Sequence, residues 1–335
     1  MTSTYTLRRT GGLEVDFIDY GGRIISIRVP DRSGVVTDVT PGYQSLGDYA
    51  CDPLYLGAII GRYANRIGDS RFTLDGYEYL LMPNEGANQL HGGPGGFHQV
   101  TWTVDAGVSS ATLSLVSPSG DQGFPGRLDV VVTYSVTAEN ELAVDYEATS
   151  SEPTPVSLTQ HAFFNLAGHA SGDILGHELT LAGSRYTPVD RSLIPTGEIH
   201  GVKGTPFDFT TPRRIGDRIR DGHEQMLIGG GYDHNFVLDA GVTKEPHFAA
   251  RLVEPTSGRM LEIFTTEPGM QFYAGGGFGR VPRGKGGVAY SANAALALET
   301  QHYPDSPNHS EFPTTIVRPG ETYRSRSLYR FTTGD

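Results

Sequence analysis

Two stretches of this 335-residue chain carry side chains that could pass protons: "VSLTQHAFFN" contains His161, and "AALALETQ" contains Glu299. A glutamate is ionised at neutral pH and can accept a proton, while a histidine titrates near neutrality and can donate one. Placed on opposite sides of a small polar molecule, the two would form a general base and a general acid. Read with the period of a strand, Val156, Leu158, Gln160, Ala162 and Phe164 share one face, and Ser157, Thr159, His161, Phe163 and Asn165 share the other. His161 falls on the more polar face, which weakens a buried-core reading, although the outer face of a sandwich would show the same pattern. For a lone strand histidine, structural or surface roles outweigh catalysis. In "AALALET", Ala295, Ala297 and Glu299 lie opposite Leu296 and Leu298, so the carboxylate rises from a floor of alanines that a ligand could approach closely. A surface glutamate on an edge strand fits the same letters equally well.

Three further stretches hold candidate ligand-binding groups. His91 in "NQLHGGPGGFHQ" precedes paired glycines, which suit a loop wrapped around a ligand or an ordinary tight turn. The spacing of His91 and His98 matches no metal-ligand pattern, and the single cysteine, Cys51, removes any sulfur cluster, so no metal is expected. "GRYANRIGDSRF" offers Asn65 and Arg66; an arginine fork can grip vicinal hydroxyls or a carboxylate, or tie loops together. In "GGGYDHNFVLD", Asp233 and His234 follow three glycines, where an aspartate ordinarily forms an Asx-turn.

The elements that must position these groups are strands. Stretches rich in Val, Ile, Thr, Tyr and Phe alternate with turn residues, and 44 glycines and 21 prolines point to many turns and few long helices. "VVVTYSVTAENELAVDYEA" reads as an antiparallel hairpin around "AEN", and only "PRRIGDRIR", near 212–220, suggests one or two helical turns. With no fixed-period repeat and no linker, the expectation is an all-β protein: one large antiparallel β-sandwich spanning 1–335 as a single domain. Sheets with one wetted face can host sugars, because alternate side chains line a concave floor.

A net charge of −12 opposes binding to nucleic acid or to anionic membranes, leaving small neutral molecules as the expected partners. No run approaches the length needed to span a bilayer, and neither end carries a lipidation motif. One cysteine and a start, "MTSTYTLRRTGG", without an apolar signal core argue for the cytoplasm. Without a helical stripe or a tail suited to a partner, a monomer is expected.

In this order, "GRYANRI", "NQLHGG", "QHAFFNL", "YTPVDRSLIPTGEI", "GYDHNFVLD", "TTEPGMQFY" and "LETQHYPDSPN" resemble the motifs of the aldose 1-epimerase (galactose mutarotase) family across nearly the whole chain. The resemblance implies a galactose mutarotase-like supersandwich with an open cleft and few short helices. It also implies cofactor-free interconversion of the α and β anomers of free aldoses such as glucose or galactose. Carried over by position, the family's base falls on Glu299, its acid on His161 and its second sugar-contacting histidine on His91. Hydroxyl-binding positions fall on Arg66, Asp233 and Gln271, with Asn65 beside them. The roles require a histidine charged near neutrality, which a nearby carboxylate would favour. The chain departs from the family at Gln160, where Asn is usual, at Ala162, and at Phe163, which loses the hydroxyl of a common Tyr. Gln160 and Ala162 should alter packing behind the site. Two alternatives keep the fold: an epimerase of a phosphorylated or unusual sugar, and a sugar-binding relative without catalysis. A phosphate would want converging cations, yet the basic stretches "TPRRIGDRIRDG" and "GRVPRGKGG" lie outside the motifs.

Overall fold

Alternation builds the largest sheet of the computed structural model, which describes residues 2–10, 12–281 and 283–334. Along Leu128–Val136, Leu128, Val130, Val132, Tyr134 and Val136 are buried, while Asp129 and Val131 face outward. This strand pairs antiparallel with Glu141–Ser150, placing Val136 opposite Leu142 across a turn in which Asn140 adopts φ +57°. The hairpin read from the sequence is therefore present. Seven more strands complete a nine-stranded sheet in the order Thr103–Ala106, Ser110–Ser117, Leu128–Val136, Glu141–Ser150, Thr322–Thr333, Arg259–Thr265, His247–Val253, Glu178–Leu181 and Arg213–Arg214.

A six-stranded sheet carries the residues of interest, in the order Phe163–Phe164, Leu296–Gln301, Gly269–Tyr273, Asp233–Val237, Arg185–Tyr186 and His200–Gly201. Its leucines Leu296 and Leu298 meet Val130, Val132 and Ile263 of the larger sheet in one apolar core that runs from Leu7 to Phe331. Two antiparallel sheets closing on a shared core define a β-sandwich. A four-stranded sheet of Thr4–Arg8, Glu14–Ile18, Ile24–Pro30 and Val36–Asp38 adds Leu7, Val15, Phe17 and Ile27 to that core.

Helix is scarce. The basic segment at 212–220 forms the strand Arg213–Arg214 and a 3₁₀ turn, Ile215–Asp217, without an α-helix. Its backbone hydrogen bonds leave the segment: Ile215 N donates to His177 O and Gly216 N to Leu175 O. The α-helix among the described residues is Glu224–Gly229, opened by His223, whose side chain accepts from Gln225 N, and closed by Gly230 in the left-handed region.

Candidate active site

His161 follows the strand Thr159–Gln160, and its backbone is held on both sides: His161 N donates to Ala58 O, and Gly57 N donates to His161 O, each at 2.9 Å. Gly57 is required there. It has φ +64°, and a Cβ would stand 1.9 Å from Ile24 O. The alternation read from the sequence persists, since Val156, Leu158, Ala162 and Phe164 enter the main core, whereas Phe163 enters a second aromatic cluster. The polar face is not an outer face, however. Ser157, Thr159, His161, Phe163 and Asn165 are all buried, because other segments cover both sides of this stretch. Gln160 points away from the histidine, donating from Nε2 to Gly57 O at 2.6 Å and to Tyr134 Oη at 3.1 Å.

Glu299 sits in the strand Leu296–Gln301, where every residue is buried. The alanines before it are not an open floor. Ala295 and Ala297 lie beneath Phe163 and Phe278, their small side chains leaving room for the aromatic rings, and neither lines the cleft, which Asn293 and Glu299 reach on either side of them. His161 Nε2 stands 3.6 Å from Glu299 Oε1, while His161 Nδ1 and Glu299 Oε2 are buried without a protein partner. Burial pushes the Glu299 carboxyl up to about 8, reinforced by Asp233 and opposed by Arg66. Burial also pushes His161 down to about 3. This reverses the expectation of an upward shift for the histidine: desolvation dominates at both partners, penalising the carboxylate and the imidazolium alike and favouring the proton on the carboxyl.

His91 completes the group, its imidazole 5.0 Å from that of His161 between ring centres. Its backbone takes φ +53°, and Gly92 follows in a position where a Cβ would be 1.9 Å from Gly61 O. The NQLHGG loop is thus a close-packed turn that presents a histidine. Asn65 N donates to His91 Nδ1 at 3.1 Å, which places the ring hydrogen on Nε2 and makes His91 a neutral donor. Burial, with the neighbouring charges of His161, Arg66 and His98, holds its pKa well below the usual histidine range. One nitrogen or oxygen of each of His91, His161 and Glu299 lies within 4.8 Å of the others, a spacing open to a metal ion. The tautomer opposes that use, since moving the hydrogen to Nδ1 would set it against Asn65 N–H.

Arg66, in the strand Arg66–Ile67, lines the same cleft of about 480 Å³, as do Asn65, His91, His161, Asp233 and Glu299. Asn65 accepts from Arg66 N through Oδ1. Asp233 Oδ1 accepts from Gln271 Nε2 at 2.6 Å, so the aspartate is held by a side chain and not by an Asx-turn. Gln271 lies opposite Glu299 in the neighbouring strand but stands behind Asp233, off the cleft wall, with its Oε1 buried and unpaired among the described residues. His98 lies behind the wall, its ring 4.7 Å from that of Tyr55, and is pushed down to about 3 chiefly by burial.

Several wall residues escaped sequence reasoning. Tyr55, in the left-handed region at φ +56°, sets its ring 4.6 Å from His91 and 6.0 Å from His161. Its hydroxyl is pushed up to about 12, mainly by burial, and stays protonated. Glu85 grips Arg66 with two hydrogen bonds. Arg280, from the basic stretch "GRVPRGKGG", reaches the cleft after all. Asp305 of "LETQHYPDSPN" accepts from Gly68 N while its own N donates to Arg66 O, so that motif braces the Arg66 strand. The glycine-flanked "GYDHN" and the "PD" pair were visible signals; nothing local marks Tyr55 or Glu85.

A β-sandwich whose cleft holds a buried carboxyl–imidazole pair, a neutral donor histidine and a ring of polar groups defines a protein built for acid–base chemistry on a small polar ligand. The sequence model of the aldose 1-epimerase family matches residues 3–330, and the chain belongs to that family. It is 44% identical to the galactose mutarotase of Mus musculus over 323 residues, covering 96% of this chain and 92% of that protein. It is 40% identical to the aldose 1-epimerase of Escherichia coli (strain K12), covering 97% and 94%. The crystal structure of an aldose epimerase homologue from C. elegans superposes with a TM-score of 0.92 at 30% identity, covering both chains completely. No helix among the described residues is long and apolar enough to cross a membrane.

Proposed function

We propose that this protein is a mutarotase that interconverts the α and β anomers of a free aldose, acting as a single domain and without a cofactor. The observation that carries the reading is the buried pair of Glu299 and His161, 3.6 Å apart at the base of a cleft lined by hydroxyl-binding groups. Opening the ring needs a base to take the proton of the anomeric hydroxyl and an acid to protonate the ring oxygen as the bond from C1 to that oxygen breaks. Rotation about C1–C2 then exposes the other carbonyl face, and the same groups run the steps backward. Glu299 takes the first role and His161 the second. Their values of about 8 and about 3 mean that the pair holds one proton throughout the neutral range. A sugar hydroxyl donating to Glu299 favours its carboxylate, and a ring oxygen accepting from His161 favours the imidazolium, so the substrate itself draws the proton across. His91 donates to the sugar from Nε2, while Arg66, Asn65 and Asp233 fix its hydroxyls, with Gln271 holding Asp233.

The phosphorylated-sugar alternative finds weak support, because Arg66 is already bound by Glu85, which leaves Arg280 as the cation on the wall without a carboxylate partner among the described residues. The test is the decay of optical rotation of freshly dissolved α-D-glucose or α-D-galactose. The protein should speed the decay well beyond the buffer rate; a decay equal to the buffer rate for every hexose and pentose would leave only a binding role or an unusual substrate.

A further inference from the structure

We infer that Glu85 is a positioning residue: by holding the Arg66 guanidinium in a two-bond fork at the cleft rim, it keeps that cation off Glu299 and directs its remaining donors toward the sugar. The inference rests on the reading of Glu299 as the base.

Arg66 Nε donates to Glu85 Oε2 at 2.6 Å and Nη2 to Oε1 at 2.8 Å, a planar, charge-assisted geometry. Three carboxyl groups of the cleft wall act on the Arg66 guanidinium: Glu85, Asp233 and Glu299. Asp233 already accepts from Gln271, whereas Glu299 Oε2 has no partner among the described residues. An Arg66 released from Glu85 would therefore find Glu299 the least satisfied carboxyl within the site. Such a pairing would stabilise the carboxylate and weaken it as a base.

The loop that carries Glu85 is built to hold it. Asn84 bonds Leu90 twice, accepting from Leu90 N at 2.7 Å and donating to Leu90 O at 2.9 Å, and Leu90 is the ladder partner of Arg66. Glu85 and Asn88 exchange backbone hydrogen bonds across the same turn. The side chain of Arg66 is 8% exposed and that of Glu85 is 37% exposed, so the acceptor stands at the rim and the cation inside. The charged and titratable groups facing Glu299 are His161 and His91 across the cleft base, Arg66 and Asp233 along its wall, and Tyr329 from the large sheet beneath. Glu85 acts on Glu299 through Arg66.

The test compares Glu85→Gln with the wild type, alone and in an Arg66→Gln background, by titrating the ¹³C-labelled side-chain carboxyl of Glu299, assigned by its loss in Glu299→Gln. In Glu85→Gln the midpoint should fall by about one pH unit or more. The alkaline limb of kcat should move the same way, and kcat at neutral pH should drop about tenfold. In the Arg66→Gln background, adding Glu85→Gln should move the midpoint little. An unchanged midpoint in the single variant, or an equal fall without Arg66, overturns the inference. The titration needs no sugar, so it decides the role of Glu85 even if polarimetry rejects the mutarotase reading.

Discussion

Two buried glutamate–histidine pairs lie close together among the described residues, and their carboxyl groups are shifted in opposite directions. Glu299 and His161 stand 3.6 Å apart at the cleft, each with a buried polar atom unpaired. Three residues beyond Glu299, His302 Nδ1 lies 2.5 Å from Glu267 Oε2, and Tyr323 Oη donates to the other carboxyl oxygen at 3.2 Å. Burial acts on both glutamates. For Glu267 it is overcome by the His302 charge and by hydrogen bonds from His302 and Tyr323, so its pKa falls below the usual carboxylate range. For Glu299, burial wins and the value rises to about 8. Saturated with donors, a buried carboxylate is held as an anion; short of donors, it keeps its proton to higher pH.

Removing each carboxylate should break this contrast in opposite ways. Glu299→Gln should lower kcat/KM by about 10³-fold, the scale of a lost general base, in a polarimetric assay. Wild-type kcat/KM should be lost above about pH 8 as the pair gives up its shared proton, and below about pH 3 as it gains a second. Glu267→Gln should instead destabilise the fold by about 2 kcal/mol in urea unfolding, because the amide cannot serve both His302 and Tyr323 as the carboxylate does in this buried site, while kcat stays within about threefold. Since the folded pKa of Glu267 is depressed, its stabilisation is fully present above the unfolded carboxylate value and is lost as pH falls through the folded one.

The stability effect of Glu299→Gln should carry the opposite sign. Its folded pKa is raised, so ionisation in the fold is penalised increasingly as pH rises from the unfolded value toward about 8. The glutamine variant should therefore be more stable than the wild type at pH 9, by about 1 kcal/mol or more, in the same unfolding experiment. Equal destabilisation of both variants would erase the distinction between the pairs. The smallest effect should come from Gln160→Asn, which withdraws the donor from Gly57 O and Tyr134 Oη behind His161. It should lower stability by about 1 kcal/mol and kcat by only a few-fold, measured by unfolding and polarimetry.

Much of the scaffold is readable from letter order alone. The alternation along Leu128–Val136, the Leu296 and Leu298 face, and the turn-rich spacing of strands follow from the two-residue period of a strand, and the ordered motifs singled out His161, Glu299, His91, Arg66, Asn65, Asp233 and Gln271. Where polar faces point is another matter. The face of His161 reads like a wetted one and is buried, and the alanines before Glu299 read like a floor and lie under Phe163 and Phe278. Alternation reports which residues share a side, not what covers it.

What belongs to the sequence by itself is the class of fold, the family and the roster of proton-bearing groups. Only the tertiary structure decided which buried glutamate is pushed up and which down, that Gln271 bonds Asp233 and that Glu85 holds Arg66. The reason is physical: protonation depends on desolvation and on partners within a few ångströms. His161 and Glu299 stand far apart along the chain, so no local window of sequence contains both.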